Sequence, residues 1–167
     1  VDNFPNIIQR EYSQGHEIGS HSFSHPQITT LTSDEIEYQF AETEHRIQQY
    51  VPYTTKLVRP PYGQITQSLK EVLQKTFVLW SIDTQDWKTR DKDAIVSEVL
   101  NNVKDGDIIL MHDMYSTTAD ACEELIPALI ERGYQLVTVS ELLNAKEITP
   151  VAGSVYSRVL STGNAAS

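Results

Sequence analysis

The chain has 167 residues, with 13 Lys and Arg against 23 Asp and Glu, for a net charge of −10. That length suits one domain with a sizeable core, and 40% hydrophobic with 22% charged residues excludes wholesale disorder. The charge argues against a nucleic-acid partner, no apolar run approaches the roughly 20 residues of a membrane span, and the single Cys122 excludes both an intrachain disulfide framework and a Cys-based zinc cluster.

The opening VDNFPNIIQR has neither an initiator Met nor a basic-then-apolar leader, and reads like the inside of a domain. Residues 4–14 predict a helix, with Phe4, Ile7, Ile8 and Tyr12 at helical spacing and Gly15 as its stop. A short strand is expected at 17–20. Residues 33–50 give the clearest helix: Thr32 and Glu35 have capping-box spacing, and Ile36, Phe40, Ile47 and Tyr50 share a face. A strand at 56–59, a helix at 66–75 and an apolar strand at 77–82 follow. Next come a helix at 92–103, a buried-type strand at 107–112 and a helix at 118–132 with Pro127 inside it. Gly133 ends that helix, and a strand at 134–139 and a short helix at 140–144 complete the pattern. From Ala145 the periodicity fades, and STGNAAS reads as a flexible tail. Strands alternating with helices predict a parallel sheet with covering helices, in a chain short for the about 250 residues of an eight-unit barrel.

In such folds functional groups collect where strands end. The expected strands are followed by His21-Ser22-Phe23-Ser24-His25-Pro26, Arg59-Pro60-Pro61-Tyr62-Gly63, Asp83-Thr84-Gln85-Asp86-Trp87 and Leu110-Met111-His112-Asp113. His21 and His25, four apart, can bring two imidazoles to one metal, or can be two surface histidines near a turn. Arg59 can pair bidentately with a carboxylate, or form an ordinary surface salt bridge. Asp86 can orient a histidine and favour its protonated form, or cap a helix. His112, ending the most apolar strand, is either a satisfied core histidine or an acid/base group. His16 and His45 are expected to be solvated and are given no role.

HSFSHP, RPPYG, DTQDW and ILMHD, in this order, resemble four of the five motifs of the NodB-type polysaccharide deacetylases, carbohydrate esterase family four. Over about residues 4–144 the chain is most similar to the bacterial peptidoglycan N-acetylglucosamine deacetylases. The resemblance implies a distorted (β/α) barrel and a metal bound by His21 and His25, zinc first, with cobalt, nickel or manganese as alternatives. It implies that the Tyr62 backbone N–H holds the oxyanion. Arg59 positions a catalytic-base aspartate, Asp86 positions the general acid His112, and Pro61, Trp87 and Leu110 shape the acetyl pocket. The chemistry suits an amide: a metal polarises the carbonyl and activates water, a base and an acid move protons, and a donor stabilises the oxyanion.

The family's first motif, a strand ending in paired aspartates, has no counterpart here. It would supply the base and the third metal ligand. The expectation is therefore a deacetylase domain over 1–144 lacking its first strands, with 145–167 as an extension or tail. Alone it should be inactive, with the missing strands coming from another segment or a second chain. The expected function is metal-dependent deacetylation of a cell-wall glycan, most of all peptidoglycan N-acetylglucosamine, outside the membrane of a bacterium. Chitooligosaccharide or acetylxylan deacetylation, a non-catalytic glycan-binding remnant, and an unrelated α/β domain are the alternatives.

Overall fold

The computed structural model describes residues 1–160, so the expected STGNAAS tail lies outside the described residues. The chain divides into two compact units, Val1–Leu79 with Thr149–Tyr156, and Trp80–Ile148 with the described residues from Ser157 onward.

The first unit is built on helices α1 (Pro5–Ser13), α2 (Ser33–Gln48) and α3 (Gln67–Leu73) and strands β1 (Leu57–Val58), β2 (Thr76–Val78) and β5 (Val155–Tyr156). The expected capping box opens α2: the Glu35 carboxylate accepts from the Thr32 N–H at 2.8 Å, and Thr32 Oγ1 accepts from the Glu35 N–H. Ile36, Phe40 and Ile47 form its buried stripe. Ile36 and Phe40 join Ile28, Val58, Leu69 and Phe77 in one core cluster, while Ile47 packs with Ile8, Ile18 and Val51 in another. The strands are parallel in the order β1-β2-β5, with Leu57 opposite Thr76 and Phe77 opposite Val155.

Trp80–Ile148 carries β3 (Ile82–Asp83), α4 (Asp86–Thr89), α5 (Lys92–Asn102), β4 (Ile109–Leu110), α6 (Ser116–Glu131) and α7 (Val139–Ala145). The two strands pair in parallel, Ile82 opposite Ile109. Ile95, Val96 and Val99 of α5 pack with Ala121, Leu125 and Leu129 of α6 over Ile82. Pro127 sits within α6, which continues unbroken to Glu131. Val159 is 1% exposed, and its N–H donates to the Gly106 carbonyl at 2.8 Å. A Cβ on Gly106 (φ +86°) would lie 1.9 Å from the Val159 carbonyl oxygen, so this approach requires glycine.

Parallel pairing is as expected, but three strand expectations need correction. The apolar run 77–82 splits: the Phe77 and Leu79 N–H groups bond to carbonyls of Ser154 and Tyr156, whereas the Ser81 and Ile82 N–H groups bond to Ile108. The segment 17–20 contributes one bridge, Ser20 to Val58. Residues 134–138 have no ladder partner among the described residues, and Leu136 and Val137 are exposed. Alternation supplies a face but no neighbour, and a strand requires a neighbour. β5, in the region where the pattern fades, is an additional strand that the expected set did not contain. Among the described residues no helix is long and apolar enough to cross a membrane.

Candidate active-site residues

In the first unit, Ser20 anchors the start of the histidine loop. Its N–H donates to the Leu57 carbonyl and its carbonyl accepts from the Arg59 N–H, both at 2.9 Å. The next residues turn sharply, with Ser22 at φ 70° and His25 at φ 57°, and the His25 N–H donates to Ser22 Oγ at 3.1 Å. Left-handed backbone at two non-glycine residues costs energy and persists only where other contacts over-determine it. Gln39 of α2 provides them: its Oε1 accepts from the Phe23 and Ser24 N–H groups at 3.1 and 2.8 Å, and its amide donates to Ser24 Oγ at 2.9 Å.

The loop brings the His21 and His25 rings to 5.0 Å between centroids, at an interplanar angle of 70°. His21 Nδ1 donates to the Arg59 carbonyl. A proton on Nδ1 leaves Nε2 with its lone pair, the tautomer of an imidazole prepared to ligate a metal through Nε2. The donor chemistry therefore fits a divalent cation. Among the described residues no group of three or more His, Cys, Asp or Glu side chains could hold a metal.

Tyr62 lies at φ 56° in the 3-10 turn Pro61–Gly63, its ring 4.7 Å from that of His25. Two prolines precede it, and among the described residues its N–H donates to no backbone carbonyl. Pro61, the first residue of this turn, is buried. The Arg59 guanidinium bonds to the Val78 and Leu79 carbonyls at 3.4 and 3.2 Å, and burial lowers its pKa from the usual value. It meets no carboxylate among the described residues, so the expected bidentate pair is not present there.

In the second unit, Asp86 opens α4 and is fully buried. One carboxylate oxygen accepts from His112 Nδ1 at 2.8 Å; the other accepts from the His112 N–H at 2.6 Å and the Thr118 hydroxyl at 2.9 Å. Burial raises the Asp86 pKa, but these bonds from the His112 ring, its N–H and Thr118 outweigh it and hold the carboxyl below its ordinary 3.8. Asp86 and His112 are thus directly hydrogen-bonded, and the His112 side chain is part-exposed. Thr84 Oγ1 donates to the Leu110 carbonyl at 2.8 Å, tying the Asp86 loop to β4. Trp87 is 48% exposed, whereas Leu110 is buried at 7%.

Gln39 and Thr118 were outside the sequence expectation. Thr118 is legible in retrospect as the polar member of the stripe Thr118, Ala121, Leu125 and Leu129 on α6, because a buried hydroxyl requires a partner. Gln39 gives no such signal.

A family model described as polysaccharide deacetylase matches residues 1–78. PdaC of Bacillus subtilis, a peptidoglycan-N-acetylmuramic acid deacetylase, is 43% identical over 147 residues, covering 88% of this chain and 32% of that protein. Its solved structure superposes with a TM-score of 0.86, covering 88% of this chain and 73% of that one. The chain belongs to the polysaccharide deacetylase family. Another member, the peptidoglycan-N-acetylglucosamine deacetylase PgdA of Listeria monocytogenes, is 36% identical over 142 residues, covering 85% of this chain and 30% of that protein. A family 4 acetyl xylan esterase from Clostridium thermocellum, solved with a cobalt ion, matches with a TM-score of 0.89 at 33% identity, covering 95% of this chain and 80% of that one. The fold is therefore that of the family's distorted barrel. The chain spans about a third of the length of the two peptidoglycan deacetylases.

Proposed function

We propose that this polysaccharide deacetylase removes acetyl groups hydrolytically from N-acetylated sugars of peptidoglycan, in the bacterial cell envelope and with a divalent metal, zinc first. The observation that carries this is the His21 tautomer fixed by the Arg59 carbonyl, beside a second imidazole. His21 and His25 would hold the metal, which when bound supplies Lewis-acid polarisation and an acidified water. Catalytic zinc sites usually have three protein ligands, so a carboxylate from outside the described residues is the natural third.

This chain's own residues supply the rest. The Tyr62 N–H, fixed by its turn, donates to the developing oxyanion. His112 gives a proton to the departing nitrogen from Nε2, since Nδ1 is engaged by Asp86. Asp86 stabilises the imidazolium electrostatically while three donors keep it ionised. Arg59 positions the carboxylate base, for which its bonds to two carbonyls provide a fixed mount. We assign Pro61 of the first unit, and Trp87 and Leu110 of the second, to contacts with the acetyl group.

Similarity to PdaC and PgdA favours peptidoglycan, while similarity to the acetyl xylan esterase favours a second reading, deacetylation of xylan esters. The test is mass spectrometry of muropeptides and of acetylated xylan after incubation with the full-length protein. Loss of acetyl from sugar nitrogen, abolished in His112→Ala, supports the first reading. Loss only from xylan supports the second, and loss from neither refutes both.

A further inference from the structure

Two of the three donors to the Asp86 carboxylate, the ring Nδ1 and the backbone N–H, belong to His112 itself. Those two move with the histidine and cannot by themselves fix where its ring points. The third, the Thr118 hydroxyl at 2.9 Å, comes from α6, a 16-residue helix whose Ala121, Leu125 and Leu129 lie in the core. Thr118 is 3% exposed in the first turn of that helix, and its N–H donates to the Tyr115 carbonyl at 3.1 Å. A hydroxyl has one proton to donate, and here it goes to Asp86. Cys122, one turn further along the same face of α6, places its Sγ 3.6 Å from Sδ of Met111, the residue before His112. Burial and the Asp86 charge push the Cys122 thiol up, so it is neutral at neutral pH and adds no charge beside the pair.

The carboxylate torsion of an aspartate is broad and weakly preferred, so the orientation of Asp86 is set by what bonds to it. A donor on α6 fixes Oδ2 relative to the core, and Oδ1 then faces His112 Nδ1. We infer that Thr118 is a positioning residue for the general acid: its hydroxyl, not its bulk, holds the Asp86 carboxylate in the orientation that engages His112 Nδ1 and leaves Nε2 for proton donation. The inference rests on the deacetylase reading for the destination of that proton. Thr118 acts through Asp86, so its effect falls on turnover rather than on substrate binding.

The experiment compares two variants of the full-length protein. Thr118→Val is near-isosteric and removes the hydroxyl; Thr118→Ser keeps the hydroxyl and removes the methyl. Acetate release from N-acetylated peptidoglycan gives kcat and KM, and the Nδ1-proton resonance of His112 reports its bond to Asp86. Thr118→Val should lower kcat about 10-fold, with KM within about twofold, and should shift that resonance. Thr118→Ser should bring kcat back to within about threefold of wild type, with the wild-type resonance. The reverse order, valine like wild type and serine impaired, would show packing by the methyl and overturns the inference. A Thr118→Val variant that is less stable but keeps the wild-type resonance also overturns it. Should Thr118→Val not fold, the wild-type protein decides. Its Thr118 hydroxyl proton, held on a buried carboxylate, should give a slowly exchanging resonance with cross-peaks to His112, and a freely exchanging hydroxyl overturns the inference. Should wild type release no acetate, the deacetylase reading fails. The His112 resonance then decides the positioning role alone, and no shift in Thr118→Val overturns it.

Discussion

Asp86 offers the sharpest perturbation, because two substitutions at one atom group should separate stability from chemistry. Its buried carboxylate receives the His112 ring, the His112 N–H and the Thr118 hydroxyl. Asp86→Ala orphans three donors, each worth about 1–3 kcal/mol when left unsatisfied. Removing one partner of a buried pair costs about 3–5 kcal/mol. His112 is itself 32% exposed, which admits water, so the lower part of that range applies: about 3–4 kcal/mol. Asp86→Asn preserves volume. Its carbonyl can accept from the His112 N–H and Thr118, but its NH2 then faces His112 Nδ1. With that NH2 donating to Nδ1 the ring is held as the neutral Nε2–H tautomer and can no longer be the imidazolium, and a neutral ring N–H is a far weaker acid toward the leaving nitrogen. The amide variant should lose only about 1–2 kcal/mol, while kcat falls about 10²–10⁴-fold. Urea unfolding measures the first quantity and acetate release the second. Nitrogen chemical shifts of the His112 ring report the tautomer directly. If Asp86→Asn keeps the wild-type tautomer and kcat, the assigned role of the pair is wrong.

The same carboxylate sets an acid dependence. Its pKa is depressed in the fold, so its stabilisation is fully present above the unfolded value near 3.8 and is lost as pH falls through the folded value. The unfolding midpoint of wild type should therefore drop more steeply below about pH 4 than that of Asp86→Asn; parallel curves would contradict this. Gly106→Ala places a methyl against the Val159 carbonyl at positive φ and should cost about 2–4 kcal/mol in chemical unfolding, and a neutral effect would show that the Val159 contact is dispensable. Gln39→Ala releases the histidine loop, and zinc affinity by chelator competition should fall about 10-fold or more with the fold intact. Unchanged affinity would remove Gln39 from the support of that site.

Local chemistry made the helices legible. Thr32 with Glu35 forms the capping box that its spacing predicts, and the stripe through Ile36, Phe40 and Ile47 faces the core; Thr138 with Glu141 forms a further box that the sequence reading did not single out. The strands were harder because most contain only two residues, and pairing is decided by neighbours far along the chain. Nothing local reveals that Phe77 bonds to Ser154 while Ile82 bonds to Ile108. Residues 134–138 show the converse: Tyr134 is held by its hydroxyl on the Val103 carbonyl and Thr138 by its capping role, with no ladder between them. Asp86 and His112 stood out because each follows a strand closely, in a recognisable motif. Their third partner, Thr118, lies on a helix whose register only the fold supplies.

The central claim is metal-dependent removal of acetyl from sugar nitrogen. Acetate release from purified N-acetylated peptidoglycan should be followed with the full-length protein after chelation and again after zinc is restored, with His21→Ala alongside. The account predicts release that disappears on chelation, returns with zinc and does not return in His21→Ala. Release that survives exhaustive metal removal, or persists undiminished in His21→Ala, would contradict it.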